Sequence, residues 1–391
     1  MAKKISQGIL LVVFFVMLAV PLLTANFSAD KTASEDENRM LAAFPAIRFE
    51  DGTFNGEFTS QFEDWINDNL GFRSEIVAFN AKMQYDIFNR LDSEKYVLGP
   101  RGELNYIGDN VMDNYRGRNL YSDDELADVT DCFKTINDYC DSLGIQFYYM
   151  QNWDKQSIFP EKFSKNVLRQ SSYTIVDQVV NSVSDNTDIT VISTKDTWKN
   201  NKNNYEIFST WGDVSHCTER AAYLGYLDLM KAINERNGNM YRVLDESDYI
   251  ITKKNMGQKV SGSIYKPNWS EHFEIATPTS WPTNEKFKKL GPEDGGDPRE
   301  MYYTNYSTGN ETTILIFGDS YTQYFNMDDL AESFHDTILL WSWTINDLPE
   351  LIDIYHPDII VYEKAERIFE RDASELKQAR DLIHYYQNSA N

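Results

Sequence analysis

The sequence predicts an α/β protein: a doubly wound parallel sheet with a β-rich insertion and an N-terminal transmembrane anchor. Three observations predict it. The runs 312–317, 338–341 and 359–363 hold the unbroken apolar stretches Ile314–Phe317, Ile338–Trp341 and Ile359–Tyr362, as parallel strands buried on both faces do. Helical apolar periods alternate with strand-like runs from residue 123 onward, the pattern of helices covering a sheet. One long uncharged apolar stretch, Ile9 to Phe27, stands near the start.

That stretch is close to the ~20 residues that cross a bilayer. Lys3 and Lys4 precede it, which keeps the N-terminus cytoplasmic and places the rest outside. A cleaved signal peptide would export the chain equally, but Leu23 and Ala25 fit the small-residue rule at a cut after Ala25 poorly. Residues 1–27 are therefore expected to be an uncleaved anchor, 28–46 a polar stalk, and 47–391 the folded domain. Phe58, Phe62, Trp65 and Ile66 recur at helical spacing, and Gly71 suits the cap that ends that helix. Residues 96–104 read as a strand, a Gly-Pro turn and a second strand.

The alternating pattern follows. Helices are expected at 123–143, 169–184, 218–236 and 366–388, and strands at 145–151 and 189–193. Residues 237–311 are rich in Gly, Pro, Asn, Lys and Tyr and hold no helical period. They read as an irregular, β-rich insertion of the kind that often carries substrate contacts.

Bulk properties narrow the function. A net charge of −24, with no basic cluster to offset it, excludes nucleic acid as a partner. The three cysteines, Cys132, Cys140 and Cys217, give no disulfide framework. Two of them are eight apart on one expected helix, about 12 Å, too far to bridge. No metal-ligand spacing and no phosphate-binding glycine loop occur, so no metal or cofactor is expected.

The chemistry centres on Phe317-Gly-Asp-Ser320. Ser320 follows a buried-type strand, and Gly318 permits a sharp turn at the carboxyl end of the sheet, where open α/β sheets bind ligands. A serine there is either a nucleophile beside helix N–H groups or simply the cap of the next helix. A nucleophile needs a base. Of the five histidines, His272 lies in the insertion, His335 and His384 fit surface helices, and His356 fits a loop. His216 stands at a loop-to-helix junction with Asp213 three residues before it. It is either a base oriented by Asp213 or a loop histidine beside a helix capped by Asp213 or Thr218.

Several ordered blocks resemble the SGNH-hydrolase-like proteins of the alginate O-acetylation group, the AlgX/AlgJ and DHHW-type family. They are Glu37-Asn-Arg-Met-Leu-Ala-Ala-Phe-Pro, the segment Phe62 to Arg73, and Tyr96-Val-Leu-Gly-Pro-Arg-Gly-Glu-Leu-Asn-Tyr. Tyr149 to Glu161, Phe317-Gly-Asp-Ser-Tyr and Pro357 to Arg367 complete the series. The resemblance implies an SGNH-hydrolase (flavodoxin-like) sheet, with Ser320 as nucleophile and His216 as base. The family's acid position falls on Val214 and its tryptophan on Cys217. Asp213 stands one residue earlier, in the Asp-x-x-His spacing of ordinary SGNH esterases. Gly318, Tyr324, Asn346 and Trp343 are candidates for oxyanion or substrate contacts. Trp341 reads as core, and Glu363 with Arg367 as a structural ion pair.

The resemblance further implies an extracytoplasmic O-acetyltransferase for a secreted or cell-wall polysaccharide, working through an acyl-serine beside a membrane-bound O-acyltransferase. An SGNH carbohydrate esterase and a catalytically weak polysaccharide-binding scaffold are the alternatives.

Overall fold

The computed structural model describes residues 2–25, 33–34, 39–163, 167–261, 264–282 and 300–389. Its contacts divide the chain into two compact units, residues 1–93 with 259–266, and residues 94–258 with 267–391.

The first unit is helical. Helix α1 spans Ala2–Leu23. Side chains within it are described from Gly8 to Pro21, and no helix among the described residues is long and apolar enough to cross a membrane. Residues 28–32 and 35–38 of the expected stalk lie outside the described residues. Helices α2 (Phe58–Asn69) and α3 (Arg73–Phe88) follow. The ring of Phe44 packs edge-on to Trp65 and Phe62, at 4.8 and 5.9 Å, so the apolar period of α2 buries aromatic surface. Gly71 was expected to cap α2 in the left-handed conformation. Phe72 takes that conformation instead (φ 55°), at the start of α3.

The second unit carries the sheet. A hairpin, β1 (Tyr96–Leu98) and β2 (Leu104–Tyr106), forms as its Gly-Pro turn predicts. Helix α4 (Asp123–Ser142) starts at a capping box, with Ser122 and Glu125 each satisfying the other's backbone N–H. Then come β3 (Gln146–Asn152), α5 (Ile175–Asn186), β4 (Thr190–Ser193), α6 (Thr194–Asn201) and α7 (Glu219–Arg236). The insertion supplies an antiparallel pair, β5 (Tyr249–Asn255) and β6 (Trp269–Ile275), and two short strands, β7 (Trp281–Pro282) and β8 (Met301–Thr304). The chain ends with β9 (Thr313–Gly318), β10 (Asp336–Trp341), α8 (Leu348–Tyr355), β11 (Ile359–Ala365) and α9 (Ser374–Ser389).

The seven-stranded sheet runs β7-β8-β10-β9-β11-β3-β4. The five strands from β10 to the edge strand β4 are parallel, but β8 pairs antiparallel with both β10 and β7. The expectation of a purely parallel sheet is corrected to a mixed one. The two extra strands come from the insertion, whose short runs carry no strong period. The order also departs from the flavodoxin arrangement: the last parallel strand, β11, sits between the first and the third.

Alternating side chains of the sheet feed two cores. Phe147, Tyr149, Leu315, Phe317, Ile360 and Tyr362 pack with α4, α5 and α9. Tyr148, Met150, Ile314, Ile316, Ile359 and Val361 pack with α7 on the other face. Burial on both faces explains the unbroken apolar runs in the sequence. Cys132, Cys140 and Cys217 are buried and free.

Candidate active site

The carboxyl end of β9 is fixed before Ser320 is placed. Gly318 fits where a Cβ would stand 2.9 Å from Leu339 Cδ1 and 3.1 Å from Glu363 Oε2. Buried Asp319 ties three elements together. Its N–H donates to Glu363 Oε2 at 2.9 Å, its Oδ2 accepts from Ala365 N–H at 2.7 Å, and its Oδ1 accepts from Tyr321 N–H at 2.8 Å. The turn after β9 is therefore locked to the end of β11. Ser320 opens a helix whose next residues, Thr322–Asn326, form a π-helical turn. Such turns are rare and frequent at functional sites. This one sets Tyr321, Tyr324 and Phe325 around the imidazole of His216, with ring centres 5.5, 5.7 and 6.1 Å away.

His216 arrives from the loop before α7. Thr218 caps that helix, its hydroxyl accepting from Ala221 N–H. Asp213 is thereby left for the imidazole. His216 Nδ1 lies 2.7 Å from Asp213 Oδ2, and Nε2 lies 2.7 Å from Ser320 Oγ. Asp213 Oδ1 accepts from the N–H and the hydroxyl of Ser215, at 3.0 and 2.6 Å. Burial pushes the Asp213 carboxyl up, but the hydrogen bonds from His216 and Ser215 outweigh it and hold the group below the usual carboxylate range. An ionised carboxylate only accepts, so Nδ1 carries the proton and Nε2 accepts from Ser320. This arrangement can remove the Ser320 proton and orient the resulting imidazolium. The Asp213 side chain is 51% exposed, so water screens its charge.

Ser320 and His216 line a cleft of 680 Å³. Of the other candidates, Tyr324, Trp343 and Asn346 line it, and Gly318 does not: it is packed beneath the turn. Tyr324 and Trp343 are exposed, at 64% and 44%. Asn346 Oδ1 is buried without a hydrogen-bond partner. Trp341, expected in the core, also lines the cleft, its ring 5.1 Å from that of Trp343.

The expected Glu363–Arg367 pair does not form. Glu363 instead accepts from Asn152 Nδ2 at 2.7 Å and from Thr322 Oγ1 at 3.1 Å. Arg367 pairs with buried Asp154 at 2.8 Å and approaches Asp109 at 3.7 Å. Sequence reasoning missed Asp319 and Asp154 as supports and read Glu363 only as the partner of Arg367, although an acid directly before the serine is a recognisable turn-former. Among the described residues no group of three His, Cys, Asp or Glu could hold a metal ion.

Burial, reinforced by the Asp319 charge, pushes the Glu363 carboxyl up to about 8, from 4.5. Between those values the folded chain keeps a proton that the unfolded chain has released. This carboxyl therefore favours folding most below 4.5, and that contribution is lost as pH rises through about 8. Replacing Glu363 by Gln removes the titration. Between pH 5 and 7 the unfolding free energy of Glu363→Gln should fall less steeply with rising pH than that of wild type. Denaturant titrations across that range check it.

No family model matches the chain, and no curated protein matches it. Solved structures do. PatB1 of Bacillus cereus is 14% identical, with a TM-score of 0.50 over 71% of this chain and 95% of that one. The same protein with a sulfonyl adduct gives 0.52 at 13% identity, over 71% and 96%. A DHHW family protein from Eubacterium siraeum gives 0.49 at 13% identity, over 74% and 97%. The O-acetyltransferase domain of Pseudomonas putida AlgJ gives 0.47 at 11%, over 73% and 99%. The likeness to PatB1 is one of fold.

Proposed function

We propose that the protein is an extracytoplasmic O-acetyltransferase that modifies a secreted or cell-wall polysaccharide through an acyl-serine. The observation that carries this reading is the Asp213–His216–Ser320 chain, two hydrogen bonds of 2.7 Å opening into a cleft. In the first step Ser320 Oγ attacks the acyl carbon of an ester donor while His216 Nε2 takes its proton. The tetrahedral oxyanion faces the start of the helix that Ser320 opens, where the Ser320 N–H and the helix dipole stabilise it. Collapse expels the donor alkoxide, which takes the proton back from His216, and leaves acyl-Ser320. A sugar hydroxyl then gives its proton to His216 and attacks the acyl carbon; the bond to Ser320 Oγ breaks, and the leaving oxygen takes that proton from His216.

The apolar stretch from Ile9 to Phe27 behind Lys3 and Lys4 supports a membrane anchor with the catalytic unit outside the cell. The family resemblance supports a membrane-bound O-acyltransferase as the source of the acetyl group, and cleft-facing Trp343 and Tyr324 supply surfaces on which sugar rings stack. The test is transfer of acetyl from an aryl ester to an oligosaccharide. Acetylated oligosaccharide is the expected product. Acetate alone would replace the transferase with an esterase, and oligosaccharide binding with no reaction would leave a scaffold.

A further inference from the structure

Tyr324 also lines a second cavity, of 430 Å³, together with Tyr303, Glu274, Asp328, Glu219 and His272. Tyr324 lines both spaces and stands edge-on to the His216 ring. Much of the second cavity comes from β6 and β8, in the insertion whose composition pointed to substrate contacts.

Its chemistry is aromatic and acidic. Tyr223 stacks on Phe273 at 5.5 Å, and Tyr303 hydrogen-bonds Asp328. Glu274 and Asp328 are exposed. His272 Nδ1 lies 2.9 Å from Glu219, and its Nε2 lies 2.5 Å from Lys254, which does not line the cavity. The cations of the first cleft are neutralised: Lys364 by Glu375 at 2.6 Å, and Arg367 by Asp154. A carboxylate-bearing chain would meet repulsion along both spaces, whereas sugar rings meet aromatic faces and carboxylates that accept from hydroxyls or amines.

We infer that the cavity beyond Tyr324 is a second glycan subsite, which holds the units next to the acetylated sugar and takes oligosaccharides without carboxylates. This inference rests on the proposed acyl transfer at Ser320. The test measures KM for acetyl transfer to a chito-oligosaccharide series of increasing length and to oligouronates of matched length, with wild type and Glu274→Lys. Glu274 is exposed, so the charge reversal leaves the fold in place, which the unfolding midpoint checks. Expected is a KM about tenfold lower for chains long enough to pass Tyr324, with that advantage lost in Glu274→Lys. A KM independent of length, or an advantage that survives in Glu274→Lys, would overturn the subsite. Oligouronates used as well as chito-oligosaccharides would overturn the substrate class. If wild type transfers no acetyl group, calorimetry of chito-oligosaccharide binding to Ser320→Ala decides instead. Length-dependent binding that Glu274→Lys weakens upholds the subsite while the acyl-transfer reading fails, and no binding overturns both.

Discussion

Ser320→Ala should lower the rate of acetyl transfer by about 10⁴-fold or more while leaving the fold intact. The size follows from what is removed. With no hydroxyl there is no covalent intermediate, His216 has no proton to take, and only the oxyanion site and substrate binding remain. The expectation of an intact fold follows from geometry. The Ser320 hydroxyl meets His216 Nε2, whereas the turn that holds Ser320 is fixed by Asp319 through Glu363, Ala365 and Tyr321. The loss should therefore fall on kcat, with an unchanged far-ultraviolet spectrum and an unfolding free energy within about 1 kcal/mol of wild type. Steady-state kinetics beside thermal unfolding check both parts.

Asp213→Asn should cost about 10²- to 10⁴-fold in the same rate. The carboxylate accepts from Nδ1 and so leaves Nε2 free to accept from Ser320. An asparagine amide can donate to Nδ1, which favours the other tautomer, with Nε2 protonated and unable to act as a base. The half-exposed position of Asp213 places the loss toward the lower part of that range, because water screens part of the charge that stabilises the imidazolium. His216→Ala removes the base itself and should match Ser320→Ala. Combining it with Ser320→Ala should add almost nothing, since the two act as a unit. Single-turnover measurements of acylation separate these effects from any change in acceptor binding.

The sequence carried the site better than the sheet. Ser320 was legible because an apolar strand, a glycine and an acid precede it, and His216 because it stands where a loop becomes a helix. Asp213 lies one residue from the family's acid position. Its place became readable only once Thr218 was seen to cap α7, which leaves Asp213 to the imidazole. The strand order was not legible. The apolar runs of β9, β10 and β11 mark burial on both faces, but nothing in them states that β11 inserts between β9 and β3. The antiparallel edge was hidden for a different reason: β7 and β8 are two and four residues long, too short to show a period. The supporting acids were missed because Asp154, Asp319 and Glu363 come from distant strands and turns and meet only in the folded state. Asp154 is paired with Arg367, and Glu363 with Asn152 and Thr322, contacts that no local pattern announces.

The central claim is that Ser320 carries the acyl group between donor and sugar. The most direct measurement is the intact mass of the protein quenched during turnover of an aryl acetate without acceptor, followed by peptide mapping. A mass increase of one acetyl group on the peptide containing Ser320, absent from Ser320→Ala and discharged when oligosaccharide is added, is the predicted result. An unmodified Ser320 in protein that is turning over the ester, or acetylation that persists in Ser320→Ala, would contradict it.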